Sequence, residues 1–313
     1  MTAIQTSRLS KSFADLAAVR DLTLSVNEGE LFGLVGPDGA GKTTTMRLLA
    51  SILEPSSGDA WVAGAHVVRE AETVKERIGY MSQRFGLYPD LTVAENIAFY
   101  ADLYNVRSSD RKERLNRLLA FSNLTPFQKR LAGQLSGGMK QKLALACALI
   151  HTPRVLLLDE PTCGVDPVSR RDFWRLLSEL VHAGVTIFVS TAYLDEAERF
   201  HRMALLHQGQ LLACGTPKEV KNLLRGTILE IRCAEPHPAA LALRREFPDD
   251  SPLLFGDRIH LVSEHPEQDS IRAQAALHAA GYPATDIRVI EPTLEDAFVS
   301  VLSEERPADG SRL

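Results

Sequence analysis

The sequence predicts an α/β fold: a parallel-sheet core with a helical subdomain, followed by a small α+β domain. Three observations carry this. Short apolar runs at 31–35, 155–158 and 185–190 have the length and composition of strands buried on both faces of a parallel sheet. Between the first and second of these, residues 84–150 are mostly helical in apolar spacing. Near residue 221 the character changes, and shorter strands and helices alternate to the end. A chain of 313 residues can hold a full α/β core and an appended domain. The expected divisions are 1–220 for the core, with 84–150 as its helical subdomain, 221–305 for the small domain, and 306–313 as a tail rich in Pro, Gly, Asp and Ser that reads as disordered.

In chain order, residues 4–9 and 22–26 read as strands, and 31–35 ends abruptly in a glycine-rich loop. Residues 43–53 have helical spacing and are stopped by Pro55 and Gly58. Helices are expected at 93–103, 111–121 and 140–150, then strand 155–158, helix 173–182 and strand 185–190. Residues 203–207 and 210–213 flank Gln208-Gly209, a hairpin pattern. In the last domain, strands are expected at 228–232, 258–262 and 286–290, and helices at 237–247, 270–280 and 294–302.

Composition narrows the function. A net charge of -5 and a pI of about 6.0 argue against a nucleic-acid partner gripped through a broad basic face. No apolar run reaches the length of a membrane-spanning helix, and the N-terminus lacks the apolar core of a secretory signal. Cys147, Cys163, Cys214 and Cys233 have no metal-ligand spacing and read as reduced thiols in a cytoplasmic protein.

Gly36-Pro37-Asp38-Gly39-Ala40-Gly41-Lys42-Thr43 fits G-x-x-x-x-G-K-[ST] between an apolar strand and a helix. The glycines let backbone N–H groups turn inward toward phosphate oxygens, and the helix that begins near Lys42 and includes Thr44 adds its positive end. Lys42 is expected to reach the β- and γ-phosphates of ATP, and the Thr43 hydroxyl to ligate Mg2+. Strand 155–158 runs into Asp159-Glu160, where ligands of open α/β sheets collect. Asp159 is expected to hold Mg2+, and Glu160 to polarise the attacking water.

Leu135-Ser136-Gly137-Gly138-Met139-Lys140-Gln141 resembles the LSGGQ signature of ABC ATPases. Ser136, Gly137 and Gly138 lie at a helix start suited to an anion. The resemblance spans about residues 2–220 and implies a P-loop ABC ATPase core. In that family the signature closes over the ATP of a second nucleotide-binding domain, head to tail. It also implies that Gln83 senses Mg2+ and water, that Phe13 stacks on adenine, and that Asp166 is the D-loop acid. The segment 84–96 is similar to that of exporters of the drug, polysaccharide and ABC-2 types, where Phe85, Leu87 and Tyr88 would anchor a helix of a transmembrane permease. The ending Glu291-Pro292-Thr293-Leu294-Glu295-Asp296-Ala297-Phe298 resembles the EPTLEDVF tail of drug-exporter ATPases, implying a dimerisation or regulatory domain. His237, His260, His265 and His278 form no ligand constellation there and read as surface or structural. The implied location is the inner face of the cell membrane, through the permease.

Two positions depart from the family pattern. Asp38 replaces the usual Asn or Ser of the phosphate loop, and a carboxylate there is repelled by triphosphate unless it turns away, pairs or is protonated. Ser190-Thr191-Ala192-Tyr193-Leu194-Asp195-Glu196 resembles the switch STHxxDE with Ala192 in place of histidine. Both changes serve the chain's own ATP, whereas its signature serves the other. Two arrangements follow: pairing with a second ATPase that keeps its histidine, or a homodimer of two slow sites. GPDGAGKTT together with STAYLDEAE also resembles the N-terminal half of tandem exporter ATPases, and the expectation is that here the second half is a separate protein. A non-transport ABC ATPase and a regulatory ATP-binding subunit are the alternative functions.

Overall fold

The computed structural model describes residues 1–84, 86–224, 226–248 and 252–304. The chain divides between Thr216 and Pro217 into two units.

The first unit opens with a long hairpin of β1 (Thr2–Phe13) and β2 (Leu16–Asn27), longer than the expected 4–9 and 22–26. Pairing continues through Lys11↔Val19 to Phe13↔Leu16, so Phe13 is carried to the tip. β3 (Leu31–Val35) is wholly buried and leads through the glycine-rich loop into α1 (Lys42–Leu49). This helix stops short of the expected residue 53 because Ser51 takes φ 56° and breaks the turn. β4 (Ser57–Val62) and β5 (Ala65–His66), which the sequence pattern did not reveal, complete an antiparallel sheet ordered β2-β1-β4-β5. Their weak alternation, with only Ala60 and Val62 fully buried in β4, explains the silence.

The chain continues through α2 (Ala71–Arg77), β6 (Ile78–Met81), α3 (Val93–Leu103), α4 (Ser108–Phe121), α5 (Gly137–Leu149) and β7 (Val155–Asp159). Then come α6 (Pro167–His182), β8 (Thr186–Thr191), α7 (Leu194–Ala197), β9 (Arg202–His207) and β10 (Gln210–Gly215). The second sheet is ordered β10-β9-β3-β8-β7-β6, parallel throughout except for the β9/β10 hairpin. Phe32 and Phe188 stack at 5.5 Å across β3 and β8 in its core. Because β3, β8, β7 and β6 are consecutive and parallel, the phosphate loop, Ala192, Asp159 and Gln83 all emerge at one end of the sheet.

The second unit comprises α8 (Pro217–Lys221), β11 (Thr227–Cys233), α9 (Pro236–Glu246), β12 (Leu253–Phe255), β13 (Arg258–Ser263), α10 (Pro266–Ala279), β14 (Ala284–Ile290) and α11 (Leu294–Glu304). Its antiparallel sheet is ordered β12-β13-β11-β14. Strand alternation sends Leu229, Ile231, Ile259 and Leu261 to one face, where Ala239, Leu243, Ala273 and Leu277 of α9 and α10 complete a core. The other face carries Glu230, Arg232, Arg258, His260 and Arg288. His260 is buried, and its Nδ1 lies 2.8 Å from Asp296 of α11. The expected tail 306–313 lies outside the described residues.

Candidate functional site

Helices of the first unit differ at their N-termini: three take a side-chain cap, and α1, α2, α4 and α7 do not. Thr92, Ser136 and Asp166 cap α3, α5 and α6 with side-chain oxygens. The N-cap of α1 is Gly41, at φ 101°, with no side-chain bond. A Cβ there would lie 2.3 Å from the Ala18 carbonyl oxygen, so only glycine fits the turn. The first N–H groups of α1 are thus left for an anion, which fits a phosphate. The Lys42 ammonium is buried. It donates to the Gly36 and Pro37 carbonyls at 2.8 and 3.0 Å and pairs with Glu160 at 3.0 Å.

Asp159, at the end of β7, is buried, and its Oδ1 accepts from Ser190 Oγ at 2.7 Å and Thr43 Oγ1 at 3.2 Å. Its Oδ2 is buried without a partner among the described residues. Burial pushes its pKa up, and the two hydroxyls only partly oppose that. Glu160 sits at φ 47°, a strained setting for a side chain with a Cβ. Its backbone N–H donates to Ser190 Oγ at 2.9 Å, and its carboxylate accepts from Gln83 Nε2 at 2.9 Å. Gln83, Lys42, Thr43, Asp159, Glu160 and Ser190 therefore form one connected cluster drawn from α1, β8 and the ends of β6 and β7. Asp159 Oδ2, without a partner among the described residues, and the neighbouring Thr43 hydroxyl are hard oxygen donors, a set that suits Mg2+.

A cavity of ≈ 680 Å³ opens over this cluster. Phe13, Asp38, Gly39, Gly41, Lys42, Thr43, Thr44, Gln83 and Glu160 line it. Phe13 is 44% exposed at the hairpin tip, and Asp38 is exposed on the loop. Ala40 is buried, with its carbonyl accepting from Gly209 N–H at 3.0 Å. Arg20, Ala18 and Gln208 also line the cavity and were missed. Gln208-Gly209 was read only as a hairpin turn, and nothing local ties that turn to the phosphate loop. Ser190, which holds both carboxylate residues, lies inside the switch motif, where no local signal sets it apart.

Ser136, Gly137 and Gly138 are not part of this cavity. Ser136 Oγ caps α5 by accepting from Met139 N–H at 3.3 Å. A Cβ on Gly138 would meet Ser169 Oγ at 2.4 Å, whereas at Gly137 nothing lies within 4 Å. Gly138 is therefore needed for packing against α6, while Gly137 faces open space. Gln141, buried in α5, donates its side-chain amide to the Pro161 carbonyl directly after Glu160. Asp166 Oδ1 accepts from Val168 and Ser169 N–H, which holds its carboxyl below the ordinary range. Ala192 is exposed after β8 and offers no side-chain donor. Of the expected permease anchors, Phe85 lies outside the described residues, Leu87 is half-buried, and Tyr88 is 46% exposed with its ring 4.5 Å from Phe99. Buried Asn96 pins this segment by donating to the Tyr88, Leu91 and Thr92 carbonyls. No described helix is long and apolar enough to cross a membrane.

Comparison with known proteins adds an independent line. The family model described as ABC transporter matches residues 19–163. The chain is 45% identical over 291 residues to the probable multidrug ABC transporter ATP-binding protein YbhF of Escherichia coli, covering 92% of this chain and 50% of that protein. It thus spans half the length of this relative. It is 35% identical to the daunorubicin resistance ATP-binding protein DrrA3 of Streptomyces coeruleorubidus, covering 97% of each. A solved dimeric ATP-binding cassette in a post-hydrolysis state, bound to ADP and Pi, superposes with a TM-score of 0.62 at 25% identity, covering 68% of this chain and 98% of that one.

Proposed function

The chain belongs to the ATP-binding proteins of ABC transporters, and on that premise we propose that it is the ATP-hydrolysing subunit of a membrane exporter of drug-like cargo. One observation carries the reading: Lys42, Thr43, Asp159, Glu160 and Gln83 are joined at the floor of a cavity that also holds Phe13. The names of the relatives, multidrug and daunorubicin resistance proteins, support the cargo class.

Lys42 and the free N–H groups of α1 bind the triphosphate, and Phe13 supports the adenine. As Lys42 turns to phosphate oxygens it leaves Glu160. That carboxylate, still oriented by Gln83, is then free to accept a proton from the attacking water. Thr43, Asp159 and Gln83 would hold Mg2+, which supplies neutralisation of charge on the phosphates when bound. Ser136 and the exposed Gly137 close over the ATP of a second nucleotide-binding domain. A transmembrane permease engages the Leu87–Tyr88 segment and keeps the protein at the inner face of the membrane.

The second domain in this proposal carries an intact switch histidine, since Ala192 and the acidic Asp38 both slow the chain's own site. Loss of one such donor costs on the order of a hundredfold in rate. Two measurements test the reading. Lys42→Ala should weaken ATP binding by roughly 3 kcal/mol, over a hundredfold in Kd. Undiminished affinity contradicts the ATPase assignment. In the purified chain, Ala192→His should raise kcat by up to about a hundredfold. Brisk wild-type turnover that histidine does not improve contradicts the asymmetry alone.

A further inference from the structure

The second unit holds an arrangement that the nucleotide chemistry does not use. Three arginines from three adjacent strands converge on the carboxylate of Glu230, which is only 3% exposed. Arg288 donates from Nε and Nη2 to Oε1 at 2.9 and 2.6 Å, Arg258 from Nη1 to Oε2 at 2.9 Å, and Arg232 from Nε and Nη2 to Oε1 at 3.3 Å. The sheet register explains the convergence: Glu230 faces Arg288 across β14, and Arg232 faces Arg258 across β13.

One buried carboxylate is satisfied by a single guanidinium fork. Three cations around one anion repel each other, and that repulsion is unbalanced. The rim acids offset it incompletely. Asp257 lies 3.5 Å from Arg258 Nε but is 82% exposed, and Asp286, opposite Arg232 in register, makes no ion pair with it within 4.0 Å. His260 bridges the two acids, its Nδ1 2.8 Å from Asp296 and its Nε2 3.7 Å from Glu230 Oε2. The arginine side chains remain 36%, 41% and 50% exposed, so their remaining N–H groups face solvent from a fixed platform. Rigid, half-exposed guanidinium forks set by a buried carboxylate are what planar oxyanion recognition requires.

We propose that Arg232, Arg258 and Arg288, oriented by Glu230, form an anion site for a phosphate-type ligand on the C-terminal unit, separate from the ATP site. The ligand chemistry is an oxyanion carried by a soluble phosphate compound or by a phospholipid headgroup. Glu230 is a positioning residue in this arrangement, and the three arginines make the contact.

The test uses the full chain with its phosphate loop saturated with ADP, titrated with inorganic phosphate by calorimetry. Wild type should show one saturable site. The Arg232→Lys/Arg258→Lys double variant keeps every charge but loses the forks, and should bind at least tenfold more weakly. Glu230→Gln should also bind more weakly although it makes the face more positive, and cooperative melting transitions that begin well above the assay temperature show that both variants are folded. Diffuse electrostatics predicts the opposite pattern: unchanged binding for the lysine pair and tighter binding for Glu230→Gln. Either of those results, or no saturable site in wild type, overturns the proposal. Sedimentation with phosphatidylglycerol vesicles, against phosphatidylcholine vesicles, identifies the source. Wild-type binding that free phosphate competes away assigns a lipid headgroup, and phosphate binding without vesicle binding assigns a soluble ligand.

Discussion

Each unit of the chain buries a carboxylate at a polar cluster, and the two are treated in opposite ways. Among the described residues, Asp159 receives only hydroxyl donors and keeps one oxygen unpartnered, and burial pushes its pKa up. Glu230 is also desolvated, but hydrogen bonds from Arg288, Arg258 and Arg232 outweigh that and hold it down at about 2. The first is under-supplied with positive charge and the second is over-supplied. On the proposed functions, a pocket that takes a cation with its substrate leaves the carboxylate hungry, whereas a platform for an anion leaves the arginines hungry.

The largest effect that could break this contrast is at Asp159. Asp159→Asn should lower steady-state ATP hydrolysis by about a thousandfold, since it removes the carboxylate that would hold Mg2+ beside the transferring phosphoryl group. The same variant, without nucleotide, should melt no lower than wild type, because it relieves an uncompensated buried acid. A large drop in its melting temperature would show that Asp159 is already satisfied. Glu230→Gln should act in the other direction. It should destabilise the C-terminal unit by roughly 1–3 kcal/mol through loss of charge-assisted bonds, read by urea unfolding or hydrogen exchange, with ATP hydrolysis unchanged.

The smallest effect sharpens the contrast through pH. Glu230 has a folded pKa below its ordinary 4.5, so its stabilisation is present above that value and is lost as pH falls toward about 2. Asp159 has a raised folded pKa, so the fold favours its protonated form at low pH and loses that advantage as pH rises through the raised value. Unfolding free energy followed from pH 2 upward should therefore climb with the Glu230 contribution, and Glu230→Gln should flatten that limb.

Most of the proposed nucleotide site was legible because its chemistry is written in contiguous residues. The loop from Gly36 to Thr43, the Asp159-Glu160 pair and the turn at Ser136 each combine a local structural signal with the reactive group. The parts contributed by tertiary approach were not legible. Arg20 and Gln208 reach the cavity only because the β1/β2 and β9/β10 hairpins fold back on the phosphate loop, and Ser190 acts through a parallel neighbour strand. The arginine platform was invisible for the same reason, since positions 230, 232, 258 and 288 share a face only once three strands pair in register. In sequence the histidines of that domain stand out as candidate ligands, and its arginines do not.

One measurement bears most directly on the contrast between a cation-poor and a cation-rich carboxylate. The melting temperature of the full chain is followed at fixed saturating ATP as Mg2+ is added, for wild type and for Asp159→Asn. Wild type should gain stability in proportion to Mg2+ occupancy, and Asp159→Asn should gain almost none beyond the effect of ATP alone. An equal Mg2+-dependent gain in both proteins would contradict the account, because the unpartnered oxygen of Asp159 would then not be where the cation is held.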